Sequence, residues 1–361
     1  MIRPPERAPS PSYFTTHRWA ENREARPTGD PPPTMFRLMR HIQVAEHGDA
    51  DVLELAESDP PAVAPGRLLV EVAAAGVNFI DTYQRTGLYK MDMPFTVGME
   101  GAGRVIALGN GVDGFAVGDL VAWADVLGSY AEAISLPAER VVPVPETIDP
   151  QVAAAVILQG LTAHYLSTST FPLESGHRCL IHAGAGGVGR LLIQLAKRAG
   201  AEVFTTVGAE DKKEVAASAG ADHVILYRDV PFDEAVVAVA GERPLDVVFD
   251  GVGAATFDAG LKLLRPRGMM VTFGNASGPV TPVAPLTLST NGSLFLTRPT
   301  LGDYIRQPSE LQARGADLFR WVSEGTLDVH IGATFPMEEA ADAHRALEGR
   351  MTTGKLLITP Q

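Results

Sequence analysis

Between residues 178 and 207 the spacing of apolar positions changes period twice. A short apolar run, Cys179-Leu180-Ile181, is followed by Leu191, Leu192, Leu195 and Ala196 at helical spacing, and then by a second run, Val203-Phe204-Thr205-Thr206-Val207. Short continuous runs mark buried strands, whereas recurrence on a 3.6-residue period marks one face of a helix. The segment therefore predicts strand, helix, strand, with Lys197, Arg198 and Gly200 stopping the helix and Gly208 closing the second strand. Leu245 to Asp250 and Gly268 to Gly274 are further buried-type strands, each after a helical segment, which predicts a parallel sheet.

From Arg40 to about Pro150 the pattern differs: short β-like runs broken by glycine and proline, at His41 to Ala45, Arg67 to Ala73, Gly103 to Ala107, Leu120 to Ala122 and Ala131 to Leu136. That spacing predicts a compact, mostly antiparallel domain. Helical patterns at Leu311 to Ser323 and Met337 to Leu347 precede a last apolar run, Gly354 to Ile358, expected to return as a strand to the first domain. No repeat of fixed period is present.

Residues 1–34 share neither pattern. They carry Pro4, Pro5, Pro9, Pro11, Pro27 and Pro31 to Pro33 among mixed charges, and read as a disordered leader, with the recognisable protein beginning at Met35. The leader lacks the apolar stretch of a secretion signal, and Glu6, Glu21, Glu24 and Asp30 argue against an organelle transit peptide. An over-long translation start without function is the reading favoured for it.

Composition narrows the function classes. A chain of 361 residues with 45% hydrophobic content has room for two domains with sizeable cores. Its net charge of -13 opposes binding to nucleic acid or an anionic membrane, both of which demand a basic face. No apolar run is long enough to cross a bilayer. The one cysteine, Cys179, excludes an internal disulfide framework and fits a reducing cytoplasm.

Chemistry enters at the turn after the first of these strands, Gly184-Ala185-Gly186-Gly187-Val188-Gly189. Gly184, Gly186 and Gly189 stand at the G-x-G-x-x-G spacing that holds a dinucleotide: a tight turn, a close approach to the pyrophosphate, and helix packed on strand. The anion then lies at a helix N-terminus. Alone the pattern also fits a plain structural turn, but its place between strand and helix favours the binding reading. A site for NAD wants a carboxylate at the end of the second strand, where this chain has Thr206-Val207-Gly208; Glu202 lies at the wrong end, and Glu210 and Asp211 follow the turn.

The ordered blocks Gly76-Val77-Asn78-Phe79-Ile80-Asp81-Thr82-Tyr83, Gly87-Leu88-Tyr89, Gly98-Met99-Glu100-Gly101-Ala102-Gly103, Gly160-Leu161-Thr162-Ala163, His182 to Gly189 and Phe273-Gly274-Asn275 resemble the zinc-independent quinone oxidoreductases. These form the zeta-crystallin-like branch of the medium-chain dehydrogenase/reductase superfamily, and the resemblance covers residues 36 to 360. It implies an α/β chain with a GroES-like, mostly antiparallel catalytic domain over 35–155 and 302–361, and a doubly wound Rossmann domain with a parallel sheet over 156–301. It further implies reduction of quinones or related conjugated carbonyls by NADPH bound between the two domains.

By the same resemblance Asn78, Tyr83, Tyr89 and Arg298 line the nicotinamide and substrate cleft, with either tyrosine able to donate a hydrogen bond or a proton. Asn78, Thr82, Gly184, Gly186, Gly187, Val188, Gly189 and Gly208 are implied on the cofactor, together with Phe273, Gly274 and Asn275 beside the nicotinamide ribose. Lys212 matches the lysine that meets the 2′-phosphate, with Tyr227 near it and Arg350 near the end of the chain; Glu210 and Asp211 add negative charge there. Ala163-His164-Tyr165 departs from the aromatic residue often found after Gly-Leu-Thr, and would bring His164 near the cofactor. Packing under a loop remains the competing reading for the tyrosines, and a packed or hydrogen-bonded side chain for His164.

Zinc-bearing relatives need a cysteine near position 78 and a histidine at position 99, where this chain has Asn78 and Met99, so no metal is expected. Without a Lewis acid, alcohol oxidation becomes hard, while quinone and enone reduction stay easy. Three functions compete: an NADPH:quinone reductase; a reductase of α,β-unsaturated ketones, aldehydes or enoyl thioesters; and a non-catalytic NADPH-binding protein of structural or regulatory role. A homodimer is implied by the family, with Gly292 to Leu296 as a candidate sheet edge.

Overall fold

A computed structural model describes residues 38–360. The leader expected over 1–34 lies outside the described residues. The six strands Arg178–Ile181, Glu202–Val207, His223–Leu226, Leu245–Asp250, Leu264–Thr272 and Phe295–Thr297 form one wholly parallel sheet. Numbered along the chain, they stand side by side in the order 3-2-1-4-5-6. This is the doubly wound Rossmann order, and the crevice where the order reverses lies between Arg178–Ile181 and Leu245–Asp250. All six residues of Leu245–Asp250 are buried, as a strand covered on both faces requires. Phe295–Thr297 forms one edge, where Phe295 is 57% exposed.

The other large sheet is mostly antiparallel. At its centre the strand Arg67–Val77 pairs with Glu100–Leu108, with Ala133–Pro137 and, at its far end, with Lys355–Thr359. The last run of the chain does return to the first lobe. A smaller sheet joins Leu53–Ser58, Met39–Val44 and Phe95–Thr96. Leu53–Ser58 escaped the sequence pattern because it is a half-exposed edge strand carrying Glu54 and Glu57.

The helix Pro150–Tyr165 is buried over most of its circumference and packs against the mostly antiparallel sheet as well as the helices Gly187–Arg198 and Pro308–Ser323. A helix apolar all round belongs inside a protein. It runs unbroken through 155 and 156, where the sequence suggested a domain boundary, so both lobes share it. Met337 to Leu347, expected as one helix, is a short 3-10 turn, Met337–Glu339, followed by the helix Ala340–Glu348.

Candidate active site

The glycine turn leaves Arg178–Ile181 at the crevice and opens the helix Gly187–Arg198, with Gly186 as its N-cap. A Cβ on Gly189 would overlap the Ala183 carbonyl, and one on Gly187 would overlap the Gln159 amide. Gly184 lies against Thr205. Gly186, by contrast, has only the Ala183 oxygen near it, at 3.2 Å, so the helix N-terminus keeps space beside it. Val188 packs half-buried on the core. Across the crevice is a second turn that the sequence reading passed over. The buried Asp250 carboxylate accepts from the Val252 and Gly253 amides at 2.7 and 2.9 Å and from the Thr256 hydroxyl at 2.9 Å. The Phe273 ring covers Gly251, and Gly274 lies backbone to backbone against it. Asp250-Gly251-Val252-Gly253, following the apolar run Val247-Val248-Phe249, was the available signal.

At the end of the second strand the Tyr227 hydroxyl stands where a Cβ of Gly208 would be, 2.5 Å away. Lys212 opens the helix Asp211–Ser218, and its ammonium donates to the carbonyls of Arg350 and Thr352 at 2.7 and 2.9 Å. Burial lowers the Lys212 pKa, with Asp211 opposing that shift and Arg228 adding to it. Glu210 pairs with Lys213 at 2.9 Å, so its charge is neutralised by the next lysine. Arg350 donates to the Ala276 carbonyl at 2.8 Å, and the Gly354 amide to Ala185 at 2.9 Å. Residues 350–354 thus tie Lys212, the glycine turn and the 274–276 segment together.

At the other end of the crevice the tyrosines meet the parallel sheet. The Tyr83 hydroxyl, on the helix Phe79–Arg85, accepts the Asn275 amide N–H at 3.0 Å. The Tyr89 hydroxyl accepts from the Arg298 guanidinium at 3.4 Å, and the two rings meet edge to face at 5.4 Å. With its amide turned so that both ends are satisfied, the Asn275 side chain joins them, its oxygen accepting from Arg298 at 3.2 Å and its nitrogen donating to the Gly274 carbonyl at 3.0 Å. Each hydroxyl therefore spends an oxygen lone pair on a protein donor and keeps its own proton to offer. Burial raises the Tyr83 pKa, so that proton stays on at neutral pH.

Asn78 and Thr82 stand apart from this group. The Asn78 oxygen accepts from Lys355 at 2.8 Å and Gln159 at 3.3 Å; its nitrogen donates to Glu100 at 2.8 Å and the Gly76 carbonyl at 3.3 Å. A primary amide has two donors and two acceptor sites, so this one is fully used. The Thr82 hydroxyl is spent on the Phe79 carbonyl within its own helix.

His164, expected near the cofactor, is instead stacked on Trp321 and bonded to Asp317 and Arg314 on the helix Pro308–Ser323. The reason is helical phase. Gln159 faces the glycine turn, and a residue five positions on lies about 140° further round the helix.

Beneath the tyrosines runs a buried polar chain. The Arg85 guanidinium, which can only donate, meets His344 Nδ1 at 3.2 Å; His344 Nε2 then donates to the Tyr130 hydroxyl at 3.3 Å, and Tyr130 to Asp81 at 3.2 Å. Asp81 also accepts the Asn78 backbone N–H at 2.8 Å. Burial, helped by Arg85, holds the His344 pKa down to about 3. Burial pushes Asp81 up to about 7, against the pull of the Asn78 N–H, Lys355 and Tyr130.

Among the described residues no group of three or more His, Cys, Asp or Glu side chains is placed to hold a metal. Met99 instead takes a contact from the Gln84 amide at 3.4 Å.

Comparison with known proteins adds an independent line. Residues 64–146 match the alcohol dehydrogenase GroES-like domain and residues 187–314 the family described as zinc-binding dehydrogenase. A quinone oxidoreductase of Pseudomonas aeruginosa is 42% identical over 90% of this chain and 100% of its own length. A 2-haloacrylate reductase of a Burkholderia species is 39% identical over 82% of this chain and 92% of its own length. The crystal structure of Escherichia coli quinone oxidoreductase complexed with NADPH superposes with a TM-score of 0.87 at 38% identity, covering 89% of this chain and all of that one. A GroES-like lobe joined to a Rossmann lobe, with this extent of identity, places the protein: it belongs to the quinone oxidoreductases, in the zeta-crystallin-like branch of the medium-chain dehydrogenase/reductase superfamily.

Proposed function

We propose that this chain is an NADPH-dependent quinone reductase that works without a metal. The observation that carries the reading is the pair of hydroxyls on Tyr83 and Tyr89, whose oxygens are occupied by Asn275 and Arg298 and whose protons are free to donate. A quinone taking up hydride develops negative charge on oxygen, and preorganised donors of this kind stabilise it. Bound NADPH supplies the hydride, and a proton completes the hydroquinone. The cradle suits that cofactor: an open helix N-terminus at Gly186 for pyrophosphate, and Lys212 beside the end of the second strand for a 2′-phosphate. Lys212 then exchanges the carbonyls of Arg350 and Thr352 for phosphate oxygens. Metal-free chemistry is supported by Asn78 and Met99 in place of cysteine and histidine.

A second reading has its own support. The 2-haloacrylate reductase is nearly as similar as the quinone oxidoreductase, and a conjugated carboxylate would use Arg298 as its partner. Steady-state rates with 1,4-benzoquinone, 9,10-phenanthrenequinone, methyl vinyl ketone, 2-chloroacrylate and crotonyl thioesters, each with NADPH and NADH, separate the two. Quinone turnover with NADPH preferred is expected; turnover of the acrylate or thioester alone overturns the quinone reading. We further infer a cytoplasmic enzyme that pairs through the exposed edge Phe295–Thr297, checked by sedimentation of the purified chain and of a Phe295→Lys variant.

A further inference from the structure

We propose that Lys355 and Glu100 are positioning residues for the tyrosine site, acting through Asn78: their buried ion pair grips the Asn78 amide and so fixes the start of the helix that holds Tyr83 against Asn275. The inference rests on the quinone-reductase reading only for its kinetic assay. Lys355 is 2% exposed and Glu100 fully buried, and they are in direct contact. Such a pair is a poor source of stability, because desolvating two charges offsets much of their attraction. Its geometry points to another use.

Three chain segments converge on it. The central strand ends at Val77, and Asn78 is the next residue and the N-cap of the helix Phe79–Arg85. Glu100 and Lys355 each begin a strand that pairs with that central strand, one on either side. Both ends of the Asn78 amide are held, the oxygen by the ammonium and the nitrogen by the carboxylate, each at 2.8 Å. The second carboxylate oxygen of Glu100 accepts the Leu158 N–H of the shared helix at 2.8 Å, and the neighbouring Gln159 donates to Asn78. A Cβ on Gly76 would overlap both Glu100 and Lys355, so the pair fits only above a glycine.

Two consequences follow for the site. Tyr83 lies five residues from Asn78 on a helix of only seven, and the Asn78 backbone N–H is held by Asp81 of that helix at 2.8 Å, so a displacement of Asn78 as the N-cap carries to the turn that bears the Tyr83 hydroxyl. The other end of the pair reaches the cofactor cradle: Gly354, adjacent to Lys355, bridges to Gly186, and the buried oxygen of Gln159, with no partner among the described residues, lies against Gly187. The pair thus lies beside the glycine turn, while its own side chains hold the tyrosine helix through Asn78 and the shared helix through Leu158.

The test uses the full chain. Removing Lys355 alone would strand a buried carboxylate, so the informative variant is the double substitution Glu100→Gln with Lys355→Met, which removes both charges and keeps the volume. Its fold is checked by circular dichroism and thermal melting. In the cofactor-free protein, amide exchange in the 78–85 segment is expected to speed up about tenfold or more while the shared helix stays protected. The quinone kcat is expected to fall about ten- to a hundredfold, with the dissociation constant for NADPH changed by less than about threefold. Adding Tyr83→Phe to the double variant should then cost less than about a further twofold, since both changes remove the same interaction. Asn78→Ala, which keeps the ion pair and removes the grip, should reproduce the phenotype. A folded double variant with unchanged exchange at 78–85, unchanged kcat, or a full independent Tyr83→Phe penalty overturns the proposal. A wild-type enzyme that turns over no quinone overturns the functional reading instead, and the exchange measurement still decides this one.

Discussion

The two ends of the crevice are built in opposite ways. The proposed cofactor end is a contiguous stretch of six residues, Gly184 to Gly189, in one strand-turn-helix, where Gly189 lies against the Ala183 backbone while Gly184 and Gly187 lie against the side chains of Thr205 and Gln159. The proposed acceptor end is assembled from segments 192 and 209 residues apart, joined by Tyr83 to Asn275 and Tyr89 to Arg298. The turn is set by close approach, so Gly184, Gly187 and Gly189 leave no room for a side chain. The assembled end depends on everything that holds its parts in register, down to a buried ion pair and a buried histidine.

The strongest break of this contrast is at the turn. Gly189→Val drives a side chain into the Ala183 carbonyl, and NADPH affinity is expected to fall more than about a hundredfold, read by fluorescence titration, with the parallel sheet intact by circular dichroism. Tyr83→Phe should do the converse, lowering quinone kcat about ten- to a hundredfold while leaving NADPH affinity within about twofold. If cofactor affinity fell with it, the two ends would not be separable.

Lys212→Ala acts within the cofactor end. It should raise the KM for NADPH about tenfold and leave that for NADH nearly unchanged, the worth of one charge-assisted contact at a half-buried position. Equal effects on both cofactors would remove the 2′-phosphate from the argument.

The smallest effect, absent at neutral pH, lies beneath the acceptor end. His344 has a pKa near 3 in the folded chain against 6.5 in the unfolded one, so between these values the unfolded state binds the extra proton. Its contribution to stability is fully present above about pH 6.5 and is lost as pH falls towards 3, at up to about 1.4 kcal/mol per pH unit. Asp81, raised to about 7 in the same buried chain, contributes with the opposite sign over this range, so the difference in urea-unfolding stability between the wild type and His344→Gln from pH 6 to 4 isolates the histidine. The wild type is expected to lose stability relative to the variant as pH falls, and amide exchange should place the acid loosening in the 78–85 helix before the glycine turn.

Much of the fold was legible because its elements are periodic. The strand-helix-strand around Gly184, the strand ending at Asp250 and the returning terminal strand all appear where apolar spacing put them. Leu53–Ser58 did not, since an edge strand with Glu54 and Glu57 lacks a buried face, and Asp250 to Gly253 went unread because its role appears only when Phe273 and Gly274 are laid over it. Glu100 and Lys355 look, in sequence, like charged ends of apolar strands. Only their meeting across the central strand shows both to be buried.

The amino-acid sequence by itself determined that a glycine turn opens a helix in a parallel α/β lobe, that an antiparallel lobe precedes it, and that the surface is acidic. Those features depend on neighbours a few residues away, on backbone sterics and on composition. Tertiary structure alone decided that Tyr83 and Tyr89 keep their protons free, that the Asn78 amide is spent on Glu100 and Lys355, and that His164 turns to Trp321. A hydrogen bond's direction is set by the partner that arrives from elsewhere in the chain, and no local spacing carries that information.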